Sequence, residues 1–88
     1  MNISVVDYVG VIDGGVAVLL SLSLEDKIYN MLYWFSESGD YRLVMEENFY
    51  ADYPSIRNIY EFDGLPDMIR YIDGSVLPPK SEIFREFN

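Results

Sequence analysis

Between positions 46 and 53 the sequence Glu46-Glu47-Asn48-Phe49-Tyr50-Ala51-Asp52-Tyr53 threads carboxylates through aromatic rings, and Glu61, Asp63, Asp67 and Asp73 follow soon after. Acids set around tyrosines suit one kind of chemistry well. Tyrosine brings rigid contact area, and the carboxylates bring steering and charge-assisted hydrogen bonds to lysine and arginine. Glu46, Glu47, Tyr50, Asp52, Tyr53, Glu61, Asp63 and Asp67 are therefore the candidate partner-binding residues, and the expected partner is a protein with a basic surface. The plainer alternative is a solvated loop with some of its tyrosine rings tucked into the core.

Catalytic chemistry finds little to work with. The chain has no histidine and no cysteine, which removes the commonest general base, thiol nucleophiles and most transition-metal ligand sets, so Ser-His-Asp, Cys-His and most zinc sites are impossible. A glycosidase-like carboxylate pair would need a substrate cleft that a chain of 88 residues does not readily build around it. Asp-Gly pairs at Asp13, Asp63 and Asp73 lack the alternating oxygen ligands and terminal Glu of a calcium loop, and each falls where a turn or helix end is already required. Gly14-Gly15 follows a strand without the further glycines or the lysine of a phosphate cradle. No enzyme activity, cofactor, nucleotide or divalent metal is expected.

Six basic residues against fifteen acidic ones give a formal charge of −9. Binding to a phosphate backbone draws its affinity from basic residues that release counterions, so direct nucleic-acid binding is not expected. An acidic surface attracts basic partners instead, although the same charge would serve simply to keep a protein in solution. The longest strongly apolar run, Val16–Leu20 extended through Leu22 and Leu24, is far shorter than the roughly 20 residues of a membrane helix. Lys27 is the first basic residue, so no charged region precedes an apolar run as in a signal peptide, and a cytoplasmic location is expected. Two functions fit. One is a stoichiometric inhibitor of the immunity, antitoxin or phage counter-defence type, covering a nucleic-acid-binding surface on its target and in the extreme imitating phosphate spacing. The other is an accessory or structural subunit that docks through a sheet edge or an apolar surface without inhibiting.

The elements that must position these residues begin with β-structure. Ile3, Val5, Asp7, Val9 and Val11 alternate with Ser4, Val6, Tyr8, Gly10 and Ile12 up to Asp13-Gly14-Gly15, where Asp-Gly supplies the positive φ angles of a tight hairpin turn. On the returning strand Val16, Val18, Leu20 and Leu22 share one face, with Ala17, Leu19, Ser21 and Ser23 on the other. Residues 24–37 fit two periods. As a helix, Ser23 caps it with Asp26 at the capping-box position, and Leu24, Ile28, Met31, Leu32 and Phe35 fall at helical spacing. As a strand, Lys27–Ser36 carries Tyr33-Trp34-Phe35 and meets Tyr41–Met45 across a short polar loop. Aromatics on both faces of a central strand, and that loop, favour the strand.

After Met45 the mixture of acids and aromatics holds no clear period and reads as a strand end and loop. Ile56, Ile59, Tyr60 and Phe62 fit either a short strand or a turn of helix. Two short helices follow. Asp63 caps the first, which tolerates Pro66 in its opening turn, carries Leu65, Met68, Ile69 and Ile72 on one face and ends at Asp73-Gly74. Ser81 caps the second, whose Ile83, Phe84 and Phe87 form the docking edge. The fold expected is one α+β domain spanning residues 1–88: a small antiparallel sheet of about three to five strands, with an N-terminal meander and two short C-terminal helices packed on one face.

Overall fold

The computed structural model describes residues 2–54 and 65–87. Four strands, β1 (Asn2–Ile12), β2 (Gly15–Leu24), β3 (Lys27–Ser36) and β4 (Tyr41–Met45), form an antiparallel meander in the order β1-β2-β3-β4. Helix α1 (Glu47–Asp52) follows, then α2 (Leu65–Tyr71), a π-helical turn (Ile72–Val76) and α3 (Lys80–Phe87). Residues 27–36 are thus a strand, as favoured from the sequence. Ile56, Ile59, Tyr60, Phe62 and the expected Asp63 cap lie outside the described residues.

Turn chemistry sets the strand lengths. Asp13 and Gly14 both take positive φ, +50° and +78°, and join β1 to β2 as the two-residue loop that the Asp-Gly pair calls for. Glu25 and Asp26 do the same between β2 and β3, with φ of +50° and +65° and no glycine at either position. This second turn is what ends the helical alternative, because the capping box requires Asp26 inside a helix. The β2–β3 pairing runs without a break from Gly15 opposite Ser36 to Leu24 opposite Lys27.

One face of the sheet is the core. Val16, Val18, Leu20 and Leu22 of β2 are buried with Tyr29, Met31, Tyr33 and Phe35 of β3, Leu43 and Met45 of β4 and Ile3 of β1. Phe49 of α1, Ile69 of α2, Ile72, Leu77 and Ile83 of α3 close over them. The inward set on β2 is the one its alternation indicates.

Strand β1 departs from strict alternation. Its register against β2 shifts between Val5 and Asp7 and again between Tyr8 and Gly10, leaving Val6 and Val9 as extra, unpaired residues. Each shift swaps the faces. Ile3 and Val5 therefore sit on the helix side, opposite Leu22 and Leu20. Asp7 lies opposite Leu19 on the other face, and Tyr8 returns to the helix side opposite Val18.

Three local boundaries are corrected. The segment after Met45 is helical over Glu47–Asp52, because Phe49, Tyr50 and Tyr53 fall on one side of a single turn and a half; so short an element shows no repeating period. Asp73-Gly74 does not end a helix: the chain continues through the wide turn, and the N–H of Leu77 donates to the Ile72 carbonyl at 2.9 Å. Buried Ile72 and the anchored Asp73 carboxylate hold that turn in place. Ser81 lies inside α3 rather than capping it. The Pro79 carbonyl already accepts from the N–H groups of Glu82 and Ile83, at 2.9 and 3.3 Å, so the helix starts earlier.

Candidate functional site

The acidic, tyrosine-bearing segment is largely turned inward on the protein itself. Glu46 ends the sheet: its N–H donates to the Asn30 carbonyl at 3.0 Å, and its Oε1 accepts from the Asn30 N–H at 2.9 Å. Asp52 Oδ2 accepts from the Tyr29 hydroxyl at 2.6 Å and from Lys27 Nζ at 3.1 Å. The Tyr53 hydroxyl donates to Glu25 at 2.8 Å. These bonds tie α1 to the β2–β3 hairpin, and the rings reinforce the tie. Phe49 meets Tyr29 edge-on at 5.4 Å between centroids, and Tyr53 packs on both.

Electrostatics follow the same connections. The Tyr29 hydroxyl, then Lys27, hold the Asp52 carboxyl below the ordinary carboxylate range. Asp52 and burial push the Tyr29 phenol up, and the Glu25 carboxylate pushes up that of Tyr53. The Lys27–Asp52 ion pair is largely exposed, so the phenol bond is the stronger part of the tie. Tyr50 is half-buried against the core, and Glu47 is exposed at the start of α1. Asp67 is exposed and pairs with Arg70 one turn along α2. Glu61 and Asp63 lie outside the described residues. The structure thus gathers Asp52 and Tyr53 beside Glu25, Lys27 and Tyr29, a set whose bonds are already made; Asp67 stands apart on α2.

A second internal tie was not legible in the sequence. The Tyr33 hydroxyl donates to Asp73 Oδ1 at 2.9 Å, while Lys80 Nζ lies 3.1 Å from Asp73 Oδ2 and 5.4 and 5.0 Å from the ring centroids of Tyr33 and Phe35. Burial, then Asp73, pushes the Tyr33 phenol up. The half-buried cation over two rings pins the start of α3 to the sheet.

The other face of the sheet carries unused apolar surface. Asp7, Leu19, Leu32 and Val44 form one row across all four strands, and Ala17, Trp34 and Arg42 form the next across β2, β3 and β4. Val44 is 58% exposed, Ile12 43% and Leu32 38%, and Ile28 further along β3 is 72% exposed. Ile12, Asp13, Leu32, Trp34, Arg42 and Val44 surround a shallow hollow of about 340 Å³. The indole is fixed over Gly15, where an added Cβ would stand 2.5 Å from the ring, and its Nε1–H donates to the Ile12 carbonyl at 2.6 Å. The Arg42 side chain has no hydrogen-bond or ion-pair partner among the described residues. Asp13 lines the hollow, Asp7 on β1 ends the row of Leu19, Leu32 and Val44, and Glu37 and Asp40 belong to the β3–β4 loop at the same end of the meander as Asp13.

These open-face residues were missed as a site because aromatics on both sides of β3 suggested burial on both sides. The signal was present in Ile28, Leu32 and Val44, apolar positions opposite to the core set. Among the described residues no group of three or more acids is placed to hold a metal ion, and no helix is long and apolar enough to cross a membrane. Comparison with protein families, curated proteins and solved structures finds no match.

Proposed function

We propose that this chain is a non-enzymatic protein-binding domain that docks on a basic protein surface through the open face of its sheet, acting as a stoichiometric inhibitor of a nucleic-acid-binding target. The observation that carries the reading is the apolar patch of Ile12, Leu32, Trp34 and Val44 with Asp13 at its margin and Asp7 at the β1 end of its row, on a chain of formal charge −9. Exposed apolar patches rimmed by polar groups mark interaction sites. The acids speed capture of a positive partner, the apolar centre holds it, and Arg42 requires an acceptor opposite it, which sets orientation. A surface that attracts phosphate is also attracted to this rim, so occupation by the domain displaces nucleic acid.

The same face supports a second reading, an accessory subunit that docks without inhibiting, and salt separates the two. Inhibition driven by the acidic rim loses association rate steeply between low and high ionic strength, whereas apolar docking is nearly indifferent. The test takes the partner retained by the domain from its native host and measures affinity for the wild type and for Val44→Asp. That substitution keeps the negative rim and removes apolar contact at an exposed position. Affinity at least tenfold weaker, about 1.4 kcal/mol, with the melting temperature unchanged is the expected outcome. Equal affinity of the variant removes the open face from consideration, and nucleic acid that stays on the partner at equimolar domain removes the inhibitor reading.

A further inference from the structure

On the opposite side of the molecule, where α3 passes the edge strand β1, a groove of about 400 Å³ is lined by Tyr8, Pro78, Glu82, Ile83, Glu86 and Phe87. Its walls are aromatic. The Tyr8 and Phe87 rings stand 6.2 Å apart between centroids at 41°, both half-buried, with buried Ile83 beside them. Two exposed carboxylates complete the lining, one helical turn apart, and neither Glu82 nor Glu86 has a side-chain hydrogen bond or ion pair among the described residues.

Like charges four residues apart on a helix repel, and here they do so in a chain already strongly negative. Among the described residues no cation pairs with them. Lys80, at the start of the same helix, is engaged by Asp73, and Arg85 has no ion pair among the described residues. By contrast, Asp52, Asp67 and Asp73 are each neutralised by a neighbouring base. An open apolar slot with aromatic walls and two unneutralised acids is complementary to a flat, weakly hydrated cation. The guanidinium group meets each requirement, since it stacks on aromatic faces and forks its N–H donors to carboxylates, whereas an ammonium ion is compact and strongly hydrated.

We propose that the Tyr8–Phe87 groove is a receptor for an arginine side chain presented by a protein partner, with Glu82 and Glu86 accepting its N–H donors. The inference rests on the reading of the chain as a binder of basic proteins and adds a second contact, on the edge of β1 rather than on the open face. Because β1 is an edge strand among the described residues, an extended segment of the partner lying along it brings its side chains to the groove.

The test uses the full chain and small probes, so it does not depend on the partner. The peptide acetyl-Gly-Arg-Gly-amide is titrated into labelled protein and followed by nuclear magnetic resonance, beside the same peptide with citrulline or lysine in place of arginine. Saturable shifts confined to Tyr8, Glu82, Ile83, Glu86 and Phe87 are expected, with at least tenfold weaker binding of the neutral citrulline peptide and weaker binding of the lysine peptide. The double variant Glu82→Gln, Glu86→Gln changes exposed side chains, retains the fold by circular dichroism and is expected to weaken the arginine peptide at least tenfold. Shifts spread over all acidic surfaces without saturation, or an unchanged double variant, overturn the proposal; equal affinity for the lysine peptide overturns the assignment to a guanidinium. Should the arginine peptide fail to bind while Val44→Asp still loses the partner, the groove assignment falls and open-face docking stands. The reverse pair of results retains the groove and rejects the open face.

Discussion

Asp52, one of the candidate partner-binding residues, has its side-chain bonds made within the fold, to Lys27 and Tyr29. In the sequence it is one acid among several in a segment without period, and nothing in that segment announces that Lys27 and Tyr29, more than twenty positions earlier, lie beneath it. Its lowered pKa fixes the sign of its contribution. The folded state keeps the carboxylate ionised below the ordinary value of 3.8, so as pH falls the unfolded chain takes up a proton that the folded one resists. Stability contributed by Asp52 is thus present above about pH 4 and is lost as pH falls through the lower, folded value. Asp52→Asn is expected to melt a few degrees below the wild type at neutral pH, with the gap closing in acid, by calorimetry across pH. A constant gap would mean that shape rather than ionisation makes the tie. Tyr33 gives the mirror case. Its raised phenol contributes stability below the ordinary value of 10.0 that is lost as pH climbs above it, so phenolate absorbance and loss of circular dichroism should rise together in alkali.

At the scale of elements, turns were legible where the residue type leaves little choice and obscure where packing overrides it. Asp13-Gly14 identified the first hairpin. Glu25-Asp26 did not identify the second, because two acids in left-handed geometry are not what a hairpin turn selects, and Ser23 with Asp26 resembled a helix start. The β2 face was readable from alternation, while the β1 bulges were hidden, since an inserted residue leaves no mark in a run of β-branched side chains. Helix α1 escaped for want of length. The strain in the second turn is measurable: Asp26→Gly, which leaves Glu25 free to accept from Tyr53, should stabilise the domain by about 0.5 to 1 kcal/mol. For a chain of this length that is a rise of roughly 2 to 8 °C in melting temperature. A fall would show that Asp26 makes a compensating contact through its side chain.

For the molecule as a whole, residue patterning predicts a small α+β domain, and the structure has four antiparallel strands with helices on one side. A list of acids does not say which are neutralised within the fold. Three-dimensional pairing does: bonds within the fold occupy Glu46, Asp52 and Tyr53, whereas Asp7, Asp13, Glu82 and Glu86 border surfaces that the fold leaves uncovered. The two proposed docking faces, the apolar side of the sheet and the groove along α3, are separate and can be altered independently by substitution.

The meander has a further consequence in time. Every strand pairs with its neighbour in sequence, so the sheet closes only short loops, and its contacts can form while the C-terminal third is still being synthesised. The β2–β3 ladder pairs without a break, and the prediction is that it forms the nucleus while α3 docks late. Val18→Ala, at the fully buried centre of β2, should mainly slow refolding, whereas Ile83→Val, on α3, should mainly speed unfolding in stopped-flow chevrons. An equal division of both effects between the two limbs would place α3 in the nucleus. Until the helices arrive, both sides of the nascent sheet are bare, and a ribosome-bound chain ending near Met45 would expose Leu20, Leu22 and Phe35 together with Leu32 and Val44 of the open face.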